Sequence, residues 1–256
     1  QNILRSLITF NMLQKTRGLV IRSVKYGETS LVVTMFTELF GIQSYMVSGV
    51  RKESVKTGMR ASQFQPATLL DMVVYHHESH KLQRIKECQW AVLYQQIFSD
   101  IRKNAVALFM VELLQKCLKQ PDPQPELFHF MEDVLQGLDR ATPMVAANIP
   151  IYFALHLSHF FGFRMQDTYD EENMMLDLRE GIFVNESPAH QYWTGNQLSF
   201  TVSQFLKALQ PEELEQIPMN RDGRRLMLDT CLQYYALHVS DFGTLRSLPV
   251  LQEVLE

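Results

Sequence analysis

The clearest candidate functional residues are the basic side chains in the first third of the sequence. Between Met12 and Trp90 the chain carries 11 Lys and Arg against 6 Asp and Glu, although the formal net charge of the whole chain is −4. Cations that neutralise phosphates release counterions, which gives sequence-independent affinity for nucleic acid. This excess therefore predicts a polyanion-binding surface. The candidate DNA-binding cations are Lys15, Arg17, Arg22, Lys25, Arg51, Lys52, Lys56, Arg60, Lys81, Arg84 and Lys86.

Aromatic residues are interleaved with these cations, and proteins that bind single strands use such rings to stack bases. The rings belong to Tyr26, Phe36, Tyr45, Phe64 and Tyr75. The alternative is that most of them fill a hydrophobic core, while the cations are merely solvated in loops. Tyr26 is included in the candidate DNA-binding set.

Signatures of catalysis and phosphate binding are incomplete. A P-loop needs G-x-x-x-x-G-K-[ST], but in the segment that begins at Gly49, Ser54 and Val55 stand where Gly and Lys are required. The acidic segment DTYDEEN (167–173) lacks the spacing of a calcium loop and is interpreted as a solvated loop. The sequence predicts no catalytic residue.

Histidines and cysteines are the other candidates for metal ligands. The segment HHESH places His76, His77 and His80 within five residues, but adjacent strand residues point to opposite faces, so His76 and His77 should diverge. We favour a cluster near phosphates that gains charge as the pH falls. The three cysteines are far apart with no C-x-x-C, which indicates buried, reduced thiols. We expect no metal and no cofactor.

The first module alternates with the period of β-strands. Strict alternation puts Leu19 and Ile21 on one face of the first strand, and Val20, Arg22 and Val24 on the other. Five short strands with apolar residues on both faces favour a small closed barrel, and a five-stranded OB-type barrel fits in size. The predicted strands are TRGLVIRSVKY, SLVVTMFT, GIQSYMVSGV, ATLLDMVVYHH and KLQRIKECQW.

The spacing becomes helical near Ser99, which predicts an all-α bundle for the second module. Ser99 or Asp100 caps the first helix, and the three prolines of QPDPQP end it. Thr142 caps a later helix that starts at Pro143 and ends at Gly162. Further apolar stripes lie at 127–138 and 228–239, and SLPVLQEVL predicts a short terminal helix.

The predicted domains are a nucleic-acid-binding barrel at 12–90 and a helical domain at 91–256. A hairpin insertion at about 163–195 is predicted from LDL-REG-IFV. Residues 1–11 are interpreted as upstream or cloning-derived sequence, because Met12 looks like a natural start. No apolar run of the ~18–20 residues that span a bilayer is expected, so we predict a cytoplasmic location and no membrane partner.

The opening segment MLQKTRGLVIRSVKYGETSLVVTMFTELFGIQSYMVSGVRK resembles the RecO family of bacterial recombination mediators in DNA repair. The helical FMVELLQKCL and the ending LRSLPVLQEVL are similar to this family as well. The resemblance is strongest over Met12–Lys52 and follows the order of the elements to Leu255.

The resemblance implies an OB barrel followed by a helical region, and binding to both single- and double-stranded DNA. It implies strand annealing and the loading of recombinase onto coated single strands. The implied protein partners are RecR and the acidic tail of the single-strand DNA-binding protein. Positions that match the family's basic barrel face are Arg17, Arg22, Lys25, Arg51 and Lys52.

One departure from the family concerns zinc. Many RecO proteins hold a four-cysteine zinc site after the mid-chain helix, whereas residues 161–193 contain no cysteine. We therefore expect the zinc to be lost and the hairpin to be held by apolar packing alone.

Taken together, the sequence predicts a non-enzymatic DNA-binding mediator. A protein-interaction adaptor, whose barrel docks acidic peptides rather than DNA, is the main alternative. A nuclease that holds Mg²⁺ with DTYDEEN is a third hypothesis.

Overall fold

The computed structural model describes residues 12–50, 59–77 and 80–255 of the chain. Its residues cluster into two compact units. Among the described residues, the first unit contains those up to Leu93 together with Gln120–Phe128, and the second contains Tyr94–Lys119 together with those from His129 onward.

The first unit is built on a closed barrel in the order β1-β2-β3-β5-β4. All strand pairs are antiparallel except β3 with β5, which are parallel and close the barrel. The predicted five-stranded OB-type fold is confirmed. The strands are β1 Met12–Tyr26, β2 Ser30–Thr37, β3 Gly41–Val47, β4 Leu69–His76 and β5 Gln83–Trp90.

A β-bulge in β1 changes which side chains face outward. Val20 pairs with Met35, whereas Arg22 pairs with Thr34, so the register shifts by one residue at Ile21. Val20 is buried in the core and Arg22 is exposed. The prediction that Val20 and Arg22 share a face is wrong, because the extra residue of a bulge reverses the alternation beyond it.

The barrel core is packed so closely that a side chain at Gly18 would have to displace the flexible ends of two methionines. A Cβ on Gly18 would lie 2.5 Å from Met72 Cε and 2.9 Å from Met35 Cε. Phe64 closes the core from a short 3-10 helix, Ala61–Phe64. The Ser23 hydroxyl donates to the Phe64 carbonyl, which fixes this helix next to β1.

The second unit is helical, as predicted. Asp100 rather than Ser99 caps α1, because its carboxylate accepts from the Arg102 and Lys103 amides at 2.8 and 3.3 Å. Thr142 caps α3 as expected. Helix α4 was missed by the sequence analysis. The helices of the chain are α1 Ile101–Cys117, α2 Pro125–Arg140, α3 Pro143–Leu157, α4 Asn196–Lys207, α5 Arg221–His238 and α6 Leu248–Val254, and the first turn of α2 is grouped with the first unit.

A buried carboxylate organises the entry to α1. Asp139 accepts hydrogen bonds from the amides of Gln95, Gln96 and Ile97 at 2.8–2.9 Å. Burial alone would raise the pKa of Asp139, but these three donors outweigh it and hold the pKa below its usual range. The side chain is thus ionised and structural in the folded protein.

One segment is long and apolar enough to cross a membrane, contrary to the sequence-based expectation. It runs over Pro143–Phe161, from the start of α3 through the 3-10 helix that follows it. Because 72% of an 18-residue stretch of this segment is buried inside the fold, the segment is part of the core of this unit.

The predicted hairpin is confirmed, and a third strand joins it to give the order β7-β6-β8. Apolar packing holds this sheet as expected, with Leu176 and Phe183 at most 3% exposed, but polar contacts hold it as well. The Ser199 hydroxyl accepts from the Leu176 amide at 2.9 Å, and His190 Nε2 lies 3.3 Å from the Asp177 carboxylate. The strands are β6 Met175–Asp177, β7 Ile182–Val184 and β8 Trp193–Thr194.

Candidate nucleic-acid interface

An outward surface of the barrel combines apolar, aromatic and cationic side chains. We call it the β1–β2–β3 face. Directly opposed residues of a sheet point to the same side, so the register defines its members. They are Arg22, Val24, Tyr26, Val32, Thr34, Ser44, Met46 and, on the adjoining β5, Arg84.

The cations of this face project into solvent. Arg22 and Arg84 are exposed, and neither has a carboxylate within ion-pair distance among the residues that the structure describes. Lys25 is exposed at the end of β1. It pairs with the core residue Leu31, so it lies beside this face rather than on it, and the acid nearest to it along the chain is Glu28. These three cations remain available to an external anion.

Three further predicted cations lie next to the strands or at a bulge within one. Arg60 precedes the 3-10 helix, where its amide donates to Gln63 Oε1 at 2.7 Å and its side chain is exposed. Lys81 is exposed in the turn that leads into β5. Lys86 is exposed at a bulge of β5, where the register with β4 shifts.

A groove of about 570 Å³ on the outer side of β1, β4 and β5 has a different character. It contains the predicted cations Lys15 and Arg17, but also the carboxylates of Glu38, Asp71 and Glu87. A phosphate that approached this groove would meet three acids and two bases. The groove is therefore a poor match for a polyanion.

Arg17 is already engaged within the barrel unit. Its Nε and Nη2 atoms donate to the Glu38 carboxylate at 3.1 and 3.3 Å, a two-point ion pair. Its guanidinium also lies 5.4 Å from the centre of the Phe128 ring. Because the Glu38 carboxylate already binds this guanidinium at two points, we do not expect Arg17 to bind DNA.

The aromatic candidates separate clearly by burial. Phe36, Tyr45 and Phe64 are at most 1% exposed and belong to the core, as the alternative interpretation predicted. Tyr75 is half-buried, whereas Tyr26 is 59% exposed. Tyr26 is thus the candidate ring that can stack fully on a base.

The histidines diverge as the strand geometry predicts. His76 stacks on Phe40 with ring centroids 3.8 Å apart, while His77 stacks on His80 at 4.2 Å. Gln83 braces this turn, since its amide donates to the carbonyls of His77 and His80 at 2.7 Å. In the described part of the chain, no group of three or more His, Cys, Asp or Glu side chains is placed to hold a metal ion.

Three predicted cations, Arg51, Lys52 and Lys56, lie outside the described residues. The acidic loop is described, and there Asp170 accepts from the amides of Glu172 and Asn173 at 2.9 and 2.7 Å. Its carboxylate is thereby used in a local turn.

The helical unit carries a groove that the sequence analysis missed. Pro150, Leu228 and Leu251 form its apolar floor, and Arg224 and Arg225 line it. Arg224 donates to the Met219 carbonyl at 2.6 Å, but its buried Nε has no hydrogen-bond partner among the described residues. Burial lowers the pKa of Arg224. The sequence feature that could have indicated this groove is the basic segment RDGRR at the start of α5. We call this the α3–α5–α6 groove.

Comparisons with known proteins cover nearly the whole chain. Residues 12–94 match the family model "Recombination protein O N terminal", and residues 98–249 match "Recombination protein O C terminal". A protein of Christiangramia forsetii named DNA repair protein RecO is 32% identical over 95% of this chain and 99% of its own length.

Two more relatives carry the same name. One from Bacteroides fragilis is 31% identical over 96% of this chain and all of its own length. One from Azobacteroides pseudotrichonymphae is 27% identical over 96% of this chain and likewise all of its own length.

Proposed function

This chain belongs to the RecO family of DNA repair proteins, and from that membership we propose that it is a non-enzymatic recombination mediator. It binds single- and double-stranded DNA and anneals complementary strands. The observation that supports this most directly is a set of exposed cations without an ion-pair partner among the described residues, namely Arg22 and Arg84 on the β1–β2–β3 face and Lys25 beside it.

Annealing then follows from elementary electrostatics. Two phosphate backbones repel each other, and cations bound to one strand lower that repulsion when the second strand approaches. Base pairing supplies the driving force, so the protein needs no catalytic group. Arg60, Lys81 and Lys86 extend the cationic surface at the ends of the strands.

We propose that the acidic half of the chain recruits proteins, namely RecR and the acidic tail of the single-strand DNA-binding protein. The α3–α5–α6 groove supports the second contact. Its apolar floor suits hydrophobic side chains of a peptide, and Arg224 and Arg225 suit carboxylates. Through these contacts the protein would help to load recombinase onto coated single strands.

We further propose that the protein is located in the cytoplasm, where the DNA on which it acts is found. It retains residues 12–90 as the DNA-binding domain and residues 91–256 as the helical domain.

An annealing assay with two complementary oligonucleotides, with and without bound single-strand DNA-binding protein, tests this function. We expect faster annealing in both cases. Arg225→Glu should slow annealing of coated strands alone, and Arg102→Glu, an exposed control of equal charge change, should slow neither. If addition of the protein changed the annealing rate of neither naked nor coated strands, the proposal would be contradicted.

A mobility shift with a single strand of about 30 nucleotides separates the alternatives. Failure to shift DNA, combined with binding of an acidic peptide, would favour the adaptor. Cleavage of the DNA on incubation with Mg²⁺ would favour a nuclease.

A further inference from the structure

The short helix α6 forms one wall of the α3–α5–α6 groove. Leu251 and Gln252 line the groove from this helix, while Pro150 of α3 and Leu228 of α5 line it from the others. Of the seven residues of α6, all of which the structure describes, only Leu251 is buried. A helix of this length is not stable on its own in water. The position of α6 therefore depends on Leu251 and on the contacts that hold its ends.

The N-terminal end of α6 is held by a carboxylate of α1. Glu112 accepts hydrogen bonds from the Arg246 amide at 2.9 Å, from the Ser247 amide at 2.8 Å and from the Ser247 hydroxyl at 2.6 Å. Partial burial alone would raise the pKa of Glu112, but these donors and the nearby Lys116 hold the pKa below its usual range. The side chain is thus ionised, and both of its oxygens serve as acceptors.

Two lysines continue this attachment along α1. Lys116 Nζ donates to the Phe242 carbonyl at 2.8 Å, and Lys119 Nζ donates to the Ser240 carbonyl at 3.1 Å. Spacings of four and seven residues from Glu112 follow one side of a helix. We call Glu112, Lys116 and Lys119 the α1 clamp. Together they bind the connection between α5 and α6, residues 239–247, near both of its ends.

The clamp is separate from the groove itself. None of its three residues is among the described residues that line the groove. Its effect on the groove must therefore pass through α6. When the connection is released at Ser247, α6 is free to move away together with Leu251, and the groove loses one wall and part of its apolar floor.

We infer that Glu112 is a positioning residue for peptide binding: it holds α6 in the closed position that completes the groove, and its release opens the groove. This rests on the proposed function, in which the groove binds the acidic tail of the single-strand DNA-binding protein. A ligand that binds only the closed state stabilises that state, so the bound tail should in turn hold α6 in place.

A fluorescent peptide with the sequence of that tail tests the inference. Glu112→Gln leaves one side-chain oxygen for three donors. If α6 is then closed only about one tenth of the time, the apparent Kd for the peptide rises about tenfold. We expect at least this loss, with unchanged annealing of naked strands. Loss of a negative charge by itself would favour an acidic peptide, so weaker binding identifies the position of α6 as the cause.

The matched control is Glu253→Gln, which makes the same change of charge at an exposed position of α6. It should leave the peptide affinity and the annealing rate unchanged to within about twofold.

Hydrogen exchange read by mass spectrometry follows α6 directly. In the unmodified protein, the tail peptide should slow exchange of the amides of residues 248–254. Without peptide, Glu112→Gln should speed exchange of these amides by about tenfold, and exchange in the middle of α5 should stay the same.

The outcomes separate the inference from the proposed function. Faster exchange in α6 of Glu112→Gln with unchanged peptide affinity overturns the inference and leaves the proposed function intact, and so does unchanged exchange in α6. If Glu112→Gln does not fold, the unmodified protein still decides, because tight peptide binding without protection of α6 overturns the inference. Failure of the peptide to bind either the unmodified protein or Glu253→Gln overturns the proposed recruitment itself.

Discussion

The cations on and beside the β1–β2–β3 face give the most direct quantitative test of the DNA-binding proposal. The perturbation is a triple variant in which Arg22, Lys25 and Arg84 are replaced by Gln. All three side chains are exposed, and none has an ion-pair partner among the described residues, so the fold should be retained. The change removes two positive charges from the β1–β2–β3 face and one from the adjoining end of β1.

The expected magnitude follows from counterion release. Each neutralised phosphate of a single strand contributes about 0.7 to the slope of log K against log salt, so three lost contacts make the slope shallower by about 2. If the variant and the unmodified protein bind equally at 1 M salt, this difference in slope predicts roughly a 50-fold loss of affinity at about 0.15 M. The loss should be about 20-fold larger at ~50 mM than at ~200 mM.

Fluorescence anisotropy over a range of salt concentrations measures both quantities. The matched control replaces Arg102, Arg140 and Arg164 by Gln, which alters the net charge equally at exposed positions of the helical unit. We expect the control to change the slope by much less than 1. Equal loss of affinity in the two triple variants would refute the reasoning, because net charge rather than the face would then govern binding.

The remaining predictions concern the scaffold. Asp139→Asn should lower the stability at pH 7 by about 2–3 kcal/mol, since one amide oxygen cannot serve three donors, and calorimetry should show a Tm lower by roughly 5–10 °C. The pKa of Asp139 is depressed in the folded state, so its contribution is complete above the unfolded pKa and is lost as the pH falls through the folded one. The two proteins should therefore converge in Tm under strong acid, and a constant difference would contradict this.

Gly41→Ala should cost more than about 2 kcal/mol, because φ is +60° and the new Cβ would lie 2.2 Å from the Pro121 carbonyl oxygen. Gly162→Ala, with φ +81° and nothing within 4 Å, should cost only about 1 kcal/mol in the same denaturation experiment. Burial raises the pKa of Cys117 to about 12. Iodoacetamide at pH 8 should thus modify it only after unfolding, as mass spectrometry can show, and rapid labelling of the native protein would count against this burial.

The strands could be predicted from the sequence because each obeys a local rule. Turn residues separate the apolar runs, and a five-stranded barrel has few closed arrangements, so the OB-type order followed from the count. The helix cap at Thr142 is equally local. The prediction of which β1 side chains share a face failed at Ile21. One extra residue there reverses the inward and outward alternation, and periodicity carries no signal for such a bulge.

The candidate site was less predictable, because it depends on contacts between distant residues. The pairing of Arg17 with Glu38 joins positions 21 residues apart, and its aromatic neighbour Phe128 is more distant still. The outward apolar row of Val24 and Met46 was available in the strand alternation, yet only the register shows that the two side chains share a face. The sequence pattern identifies candidate residues, and only the pairing of the strands shows which of them lie on the same surface.

Position, rather than number, decides which barrel cations can act on DNA. The barrel segment has more bases than acids, but carboxylates lie within one or two strands of Lys15, at about 5–10 Å. The Debye length is about 10 Å at 0.1 M salt, so Asp71 and Glu87 offset Lys15 while Arg17 is neutralised in place by Glu38. A strand drawn to the barrel by its average charge would therefore be repelled from the β1–β4–β5 groove and retained on the opposite side. Under the proposed function, this asymmetry would assign DNA to the β1–β2–β3 face and leave the β1–β4–β5 groove free of it, which suits a protein that holds a strand and contacts other proteins at the same time.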